Sequence, residues 1–144
     1  MLHRLTYFAL IIICLVVVSA LPSTSTGQTK NNETSAKIKT LMKERRDVLA
    51  KRVEFFHAQF ENAKSTRVPS LEARDDLIAA EIDLAETRND RIELLKSRAA
   101  NLKDIEESYM ALRRNSKVEM SEVLMATSNR LLAEIALERA IAAE

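Results

Sequence analysis

The chain has 144 residues, with 22 lysines and arginines against 21 aspartates and glutamates, one cysteine, one glycine and two prolines. That near-neutral balance excludes the basic excess a nucleic-acid binder carries. A lone cysteine excludes an internal disulfide framework, and the absence of glycine from residues 35–144 excludes a glycine-rich phosphate loop there.

Residues 1–20 open on His3 and Arg4, run apolar from Tyr7 to Val18, and close on Val18-Ser19-Ala20. This is the layout of a secretory signal cleaved after Ala20. The competing reading is an uncleaved anchor, but the apolar run 5–21 falls at or below the roughly 17–25 residues that cross a bilayer. Ile11-Ile12-Ile13 precede Cys14, where a lipobox needs a small residue, which argues against lipidation. Cleavage removes Arg4 and Cys14 and leaves 124 residues with 21 basic and 21 acidic side chains. In an oxidising compartment such a chain is held by packing alone. Its length fits one domain, and with Phe55, Phe56, Phe60 and Tyr109 as its aromatics the core is expected to be thin and aliphatic.

Residues 21–34 are rich in Ser, Thr, Asn and Gln and hold Gly27, so they read as a disordered tether. Ser35 is the expected N-cap of a first helix over about residues 36–65. Met42, Leu49, Phe56 and Ala63 recur every seven residues, Leu41, Val48 and Phe55 run beside them, and Val53 and Phe60 fill the intervening row. Such a widened stripe predicts a helix with more than one neighbour. Residues 65–70 break it, because Pro69 lacks an N–H and pushes Val68 out of the α region.

A second helix is expected over about residues 70–114. Ile78, Ala85, Ile92 and Ala99 form one row and Leu95, Leu102 and Tyr109 the next, with Leu77, Leu84, Ile105 and Leu112 flanking. Residues 86–91 interrupt the apolar content without a helix breaker. The spacing therefore predicts one helix of roughly 45 residues, about 67 Å long, with a true loop at 86–91 as the alternative. Ser116 followed by Glu119 fits a capping box opening a third helix over 119–143, with Leu124, Leu131, Ile135 and Ala142 on one side. Short connections between helices give an all-α, elongated antiparallel bundle of three long helices.

A pattern occurs twice. Phe60 precedes a polar turn, Val68, Leu71-x-Ala73 and Ala80-Glu81-Ile82-x-Leu84; Tyr109 precedes a polar turn, Val118, Leu124-x-Ala126 and Ala133-Glu134-Ile135-x-Leu137. The Leu-x-Ala and Ala-Glu-Ile-x-Leu parts superimpose at an offset of 53 residues, while the turns read as different in length. Residues 35–144 thus read as a duplicated helical domain.

This pattern resembles the TolC-like outer-membrane efflux proteins, whose repeats carry an aromatic, a glycine turn, a small apolar residue, a Leu-x-Ala helix and Ala-Glu-x-x-Leu. The resemblance covers about residues 41–140. It implies periplasmic helices that brace an export duct, in a family whose three protomers join a membrane β-barrel to that duct. Two departures stand out. The turn glycine is missing from both copies, where Ser65 and Asn115 stand nearby, and no segment alternates as a membrane strand does. The chain resembles the equatorial helical pieces alone. The resemblance implies a non-enzymatic protein of the periplasm or outer membrane, acting in or alongside export across the outer membrane. A free periplasmic helical chaperone or scaffold, comparable in size and location to Skp, is the alternative, although that family's tentacles are strongly basic. The stress-chaperone group resembling Spy carries Leu-Thr-x-x-Gln repeats, which are absent here, and a gene remnant without its barrel portions is a third reading.

Chemical sites are not expected. His57, with Glu54 and Glu61 on the same helix, falls short of the four ligands of structural zinc; a di-iron bundle needs two Glu-x-x-His motifs. The acidic run Asp75, Asp76, Glu81, Asp83 and Glu86 lacks the looped cage calcium requires and reads as a solvated face. No catalytic, cofactor or metal residues are assigned, and no cofactor is expected. The wide stripes predict a homo-oligomer or a helical partner in the envelope, with efflux-complex association implied by the resemblance.

Overall fold

The computed structural model describes residues 26–143, with side chains from residue 32 onward. The expected signal at 1–20, Cys14 and the first part of the tether, residues 21–25, lie outside the described residues. Among the described residues four helices occur in order: α1 Thr26–Glu61, α2 Val68–Leu84, α3 Arg88–Arg114 and α4 Met120–Ala142. Among the described residues there is no strand, and no helix is long and apolar enough to cross a membrane. The chain divides into units Met1–Ala36 and Lys37–Glu144. What is described of the first is its stretch of α1, and the packing of helices against one another belongs to the second.

Several boundaries differ from the sequence expectation. α1 begins at Thr26, inside the expected tether, and Ser35 is helical and not an N-cap. After Gly27 no glycine or proline stands before Pro69, so nothing in the backbone stops a helix from propagating through residues 28–34. At its other end α1 stops at Glu61, four residues early. Ala63 adopts φ 54, the Ala63 N–H donates to the Phe60 carbonyl (2.9 Å) and the Lys64 N–H to that of Gln59 (2.9 Å). This is a Schellman closure on a left-handed residue, and α2 opens right after it with Pro69 in its first turn, where the missing N–H is harmless.

The expected 45-residue helix is two helices, so four replace the expected three. Thr87 caps α3: its hydroxyl accepts from the Asp90 N–H (3.1 Å) and donates to the Asp90 carboxylate (2.7 Å). The Thr-x-x-Asp pattern competes with helix continuation by satisfying orphan donors of a new helix. At the third break Ser116 is no cap. It is itself left-handed (φ 56), and α4 starts at Met120 with Glu119 as N-cap, whose N–H donates to the Glu122 carboxylate (2.7 Å).

The two turns after α1 and α3 close in the same way at positions 53 apart. Ser116 N–H donates to Arg113 O and Lys117 N–H to Leu112 O, as Ala63 and Lys64 do at theirs. Asn62 Nδ2 donates to Ala58 O (2.7 Å), and Asn115 Nδ2 to Ala111 O (2.9 Å). The turns thus share length as far as Lys64 and Lys117, and only the start of the following helix shifts, by one residue. At this offset Tyr109 falls on Phe56, not on Phe60.

α3 packs along both α2 and α4. One core cluster joins Leu71, Leu102, Ile105, Ala126 and Ala133; a second joins Ile78, Ile82 and Leu95, with Leu137 and Ala140 against it. Each neighbouring pair runs antiparallel. Arg88 completes one end of this bundle by donating to the last-turn carbonyls of α4, Ala140 O (3.1 Å) and Ile141 O (2.8 Å). Among the described residues, every buried apolar side chain lies in α2, α3 or α4.

Candidate interaction surface

The titratable groups that sequence singles out do not converge. His57 is exposed and its Nε2 lies 3.3 Å from the Glu61 carboxylate one turn on, a pair that does not include Glu54. Among the described residues no group of three or more His, Cys, Asp or Glu side chains is placed to hold a metal. The acidic run is more than a solvated face. Its members reach across to neighbouring helices: Asp75 accepts from both Nε and Nη2 of Arg98 (3.0 and 3.1 Å), Asp76 pairs with Arg52, Asp83 with Arg45 (3.4 Å) and Glu86 with Lys39 (2.5 Å). The last three join α2 and the residues just after it to α1, and their falling numbers against rising ones make that pair antiparallel. Lys39 holds the exposed Glu86 carboxyl below the usual range, first by its hydrogen bond and then by its charge.

A second polar set, which the sequence pattern does not announce, joins α3 to α4. Glu106 is buried, and its carboxylate accepts from the Thr127 hydroxyl (2.6 Å) and from Arg130 Nε (2.5 Å); Arg130 also donates to Glu134 (2.7 Å). The Thr127 hydrogen bond, opposed by burial and aided by Arg130, lowers the Glu106 pKa. Between α2 and α3, buried Asn101 donates to Leu71 O (2.9 Å), and Tyr109 donates to Glu72 (2.8 Å). Burial first, and that acceptor second, push the Tyr109 hydroxyl up to about 12. A signal was present for Glu106: an acid set into the apolar row of Leu102, Ile105 and Tyr109, with an arginine available on the next helix. All these groups hold helices in register; none pairs a nucleophile with a base.

A groove of about 640 Å³ separates α1 from α2, lined by Val53, His57, Phe60, Ser70, Leu71 and Arg74 among others. The half-buried row of α1, including Met42, Leu49, Val53 and Phe56, lies one face away from a second row, Leu41, Val48 and Phe55, which is exposed. Among the described residues α1 thus has one neighbour, where the stripe leads one to expect more.

On α4 the row of large apolar residues is not the one that meets α3. The side carrying Leu124, Leu131 and Ile135 faces outward, while Val123, Ala126, Ala133, Ala136, Leu137 and Ala140 meet α3 or lie half-buried. Small side chains let two helix axes approach closely, and the larger residues are left on the far side. At the offset of 53, Leu71, Ile78 and Ile82 of α2 correspond to Leu124, Leu131 and Ile135. The first three retain 6, 4 and 7% of their surface; the second three keep 59, 45 and 46%. The alanines in the same pattern, Ala73 and Ala80 against Ala126 and Ala133, are buried in both. The feature this surface offers is therefore two exposed apolar rows, on α1 and on α4.

Comparison with known proteins finds no family model, no curated protein and no solved structure that matches the chain.

Proposed function

We propose that this is a non-enzymatic helical protein of the cell envelope, exported by its N-terminal signal, that acts in or alongside export across the outer membrane by docking helices side by side. The observation that carries this reading is the pair of hairpins closed by one left-handed turn at positions 53 apart, each ending in a helix with the same Leu-x-Ala and Ala-Glu-Ile-x-Leu residues. Two copies of one hairpin, with large apolar residues left outside on α1 and α4, suit lateral assembly with itself or with a helical envelope partner. The part-buried polar side chains Arg98, Tyr109 and Arg130 are engaged in helix-to-helix contacts, which supports a structural role over a catalytic one.

The test is fractionation of cells producing the chain with a C-terminal epitope. The product is expected to begin after Ala20, to appear with the envelope, and to cross-link there to components of an export duct. A product retaining residues 1–20 in the cytosol overturns the reading.

A further inference from the structure

The α2·α3 contact is the place where one hairpin meets the next. The apolar residues of its two faces recur, exposed, at the outer sides of the described residues. Moving α2 forward by 53 gives the outer face of α4, and moving α3 back by 53 gives the exposed face of α1. We propose that a second copy of this chain docks head to tail at this surface, its α1 lying antiparallel along the outer face of α4 as α3 lies along α2. This rests on the reading of the chain as two like hairpins.

The transferred contacts are chemically matched. Leu71 meets Asn101 through its carbonyl; the equivalent pair is Leu124 with Val48 of the second copy. Ile78 shares a cluster with Leu94, which becomes Leu131 with Leu41. Glu72 and Tyr109 become Met125 with the half-buried Phe56, and Asp75 and Arg98 become Ser128 with Arg45, which within one chain pairs with Asp83. The ionic and hydrogen-bonded pairs inside the chain are thus replaced mainly by apolar pairs between copies. Leu41, Val48, Leu124, Met125 and Leu131 are all exposed in the single chain.

Charge selects this pairing over a symmetric one. Residues 37–52 hold seven lysines and arginines against two acids, so two α1 faces repel each other. α4 carries Glu122, Glu134 and Glu138 against Arg130 and Arg139, an acidic excess that suits a basic neighbour. Because the two faces differ, the contact is heterologous: it closes into a ring or continues, according to the rotation per copy.

Light scattering on the wild type, Leu131→Asp, Leu41→Asp and an equal mixture of the two variants tests this. The wild type is expected to self-associate and each variant alone to be monomeric, with contact affinity weakened by roughly 30-fold or more. The mixture is expected to form a 1:1 heterodimer, since each variant retains the face the other lacks. Far-UV circular dichroism checks that helicity is kept; a variant that loses it is replaced by Leu131→Ser or Leu41→Ser. In a Cys14→Ser background, Leu124→Cys with Val48→Cys is expected to cross-link between copies. A monomeric wild type, a mixture that stays monomeric, or a Leu41→Asp variant that still associates while Leu131→Asp does not, overturns the proposal. None of these outcomes bears on envelope fractionation, so the docking mode and the proposed function fail separately.

Discussion

α2 lies between α3, against which it packs closely, and α1, which reaches it through Arg45 and Arg52 and the loop after it through Lys39, whereas among the described residues α4 packs on α3 alone. The two helices carry matching residues at matching positions, yet Leu71, Ile78 and Ile82 are buried and Leu124, Leu131 and Ile135 are not. The same side chains therefore do different things because of neighbours supplied elsewhere in the chain. Burial belongs to the arrangement of helices, and the repeat only sets which face is offered.

The sharpest way to break this comparison is to truncate equivalent residues. Leu71→Ala is expected to cost about 3 kcal/mol, since it removes buried methyl groups and leaves a cavity. Leu124→Ala, at the same place in the pattern, is expected to cost under about 0.5 kcal/mol when measured at protein concentrations too low for association. Urea denaturation followed by circular dichroism gives both numbers. Equal losses at the two positions would mean that the asymmetry of burial carries no energy.

How far the helices were legible in advance depends on which signals are local. Seven-residue spacing is local, and it identifies the helices and their apolar rows, including both rows of α1. Pro69 announces its break through its own covalent geometry. The Thr87-x-x-Asp90 cap was present in the letters, but its hydrogen bonds must outweigh the continuation of an otherwise favourable helix, and spacing does not weigh them. The left-handed residues are alanine and serine, which carry none of the glycine signature that marks such turns. Which side of α4 meets α3 was not legible at all: large residues form the more visible row, and the alanines that make the contact look like ordinary helix filler. Glu106 escaped for a related reason, because its burial depends on Thr127 and Arg130 arriving from another helix.

The joints differ in kind as well. α3 and α4 share a buried carboxylate, whereas α1 and α2 share ion pairs on the surface. Glu106→Gln is expected to cost about 2 kcal/mol near neutral pH, by weakening the charge-assisted bonds that the buried carboxylate makes to half-buried Thr127 and Arg130. Since folding lowers the Glu106 pKa, its contribution is complete above the ordinary carboxyl value of 4.5 and is lost as pH falls through the lower folded value. Denaturation followed from neutral pH down into the acid range is expected to show the wild type losing more stability than Glu106→Gln on acidification. A variant with the same acid slope as the wild type would place the titrating group elsewhere.

Where the two hairpins are alike, equivalent substitutions should give equal effects. Ala63 and Ser116 both hold φ near +55, a region where a side chain costs about 1 kcal/mol that glycine does not incur. Ala63→Gly and Ser116→Gly are each expected to raise stability by about 0.5–1 kcal/mol, because relief of the left-handed strain exceeds the added chain entropy of glycine. A melting temperature that rises for one variant and falls for the other would show that the turns, though alike in hydrogen bonding, are strained differently.

The smallest effect, and the most selective, concerns α1. The Arg45–Asp83 pair keeps more than half of each side chain exposed, and such pairs are worth a few tenths of a kcal/mol and are screened by salt. Arg45→Gln is therefore expected to change global stability by less than about 0.5 kcal/mol. Raising the salt to about 1 M, where the screening length falls to about 3 Å, is expected to act mainly on the α1·α2 joint. Hydrogen exchange resolves the difference: amides of residues 39–56 should lose protection in high salt while those of residues 95–109, facing the Glu106 carboxylate and both core clusters, should not. Equal loss along α1 and α3 would mean that the half-buried apolar row of α1 and the core of α2, α3 and α4 form one cooperative body, with the surface charges adding nothing separable.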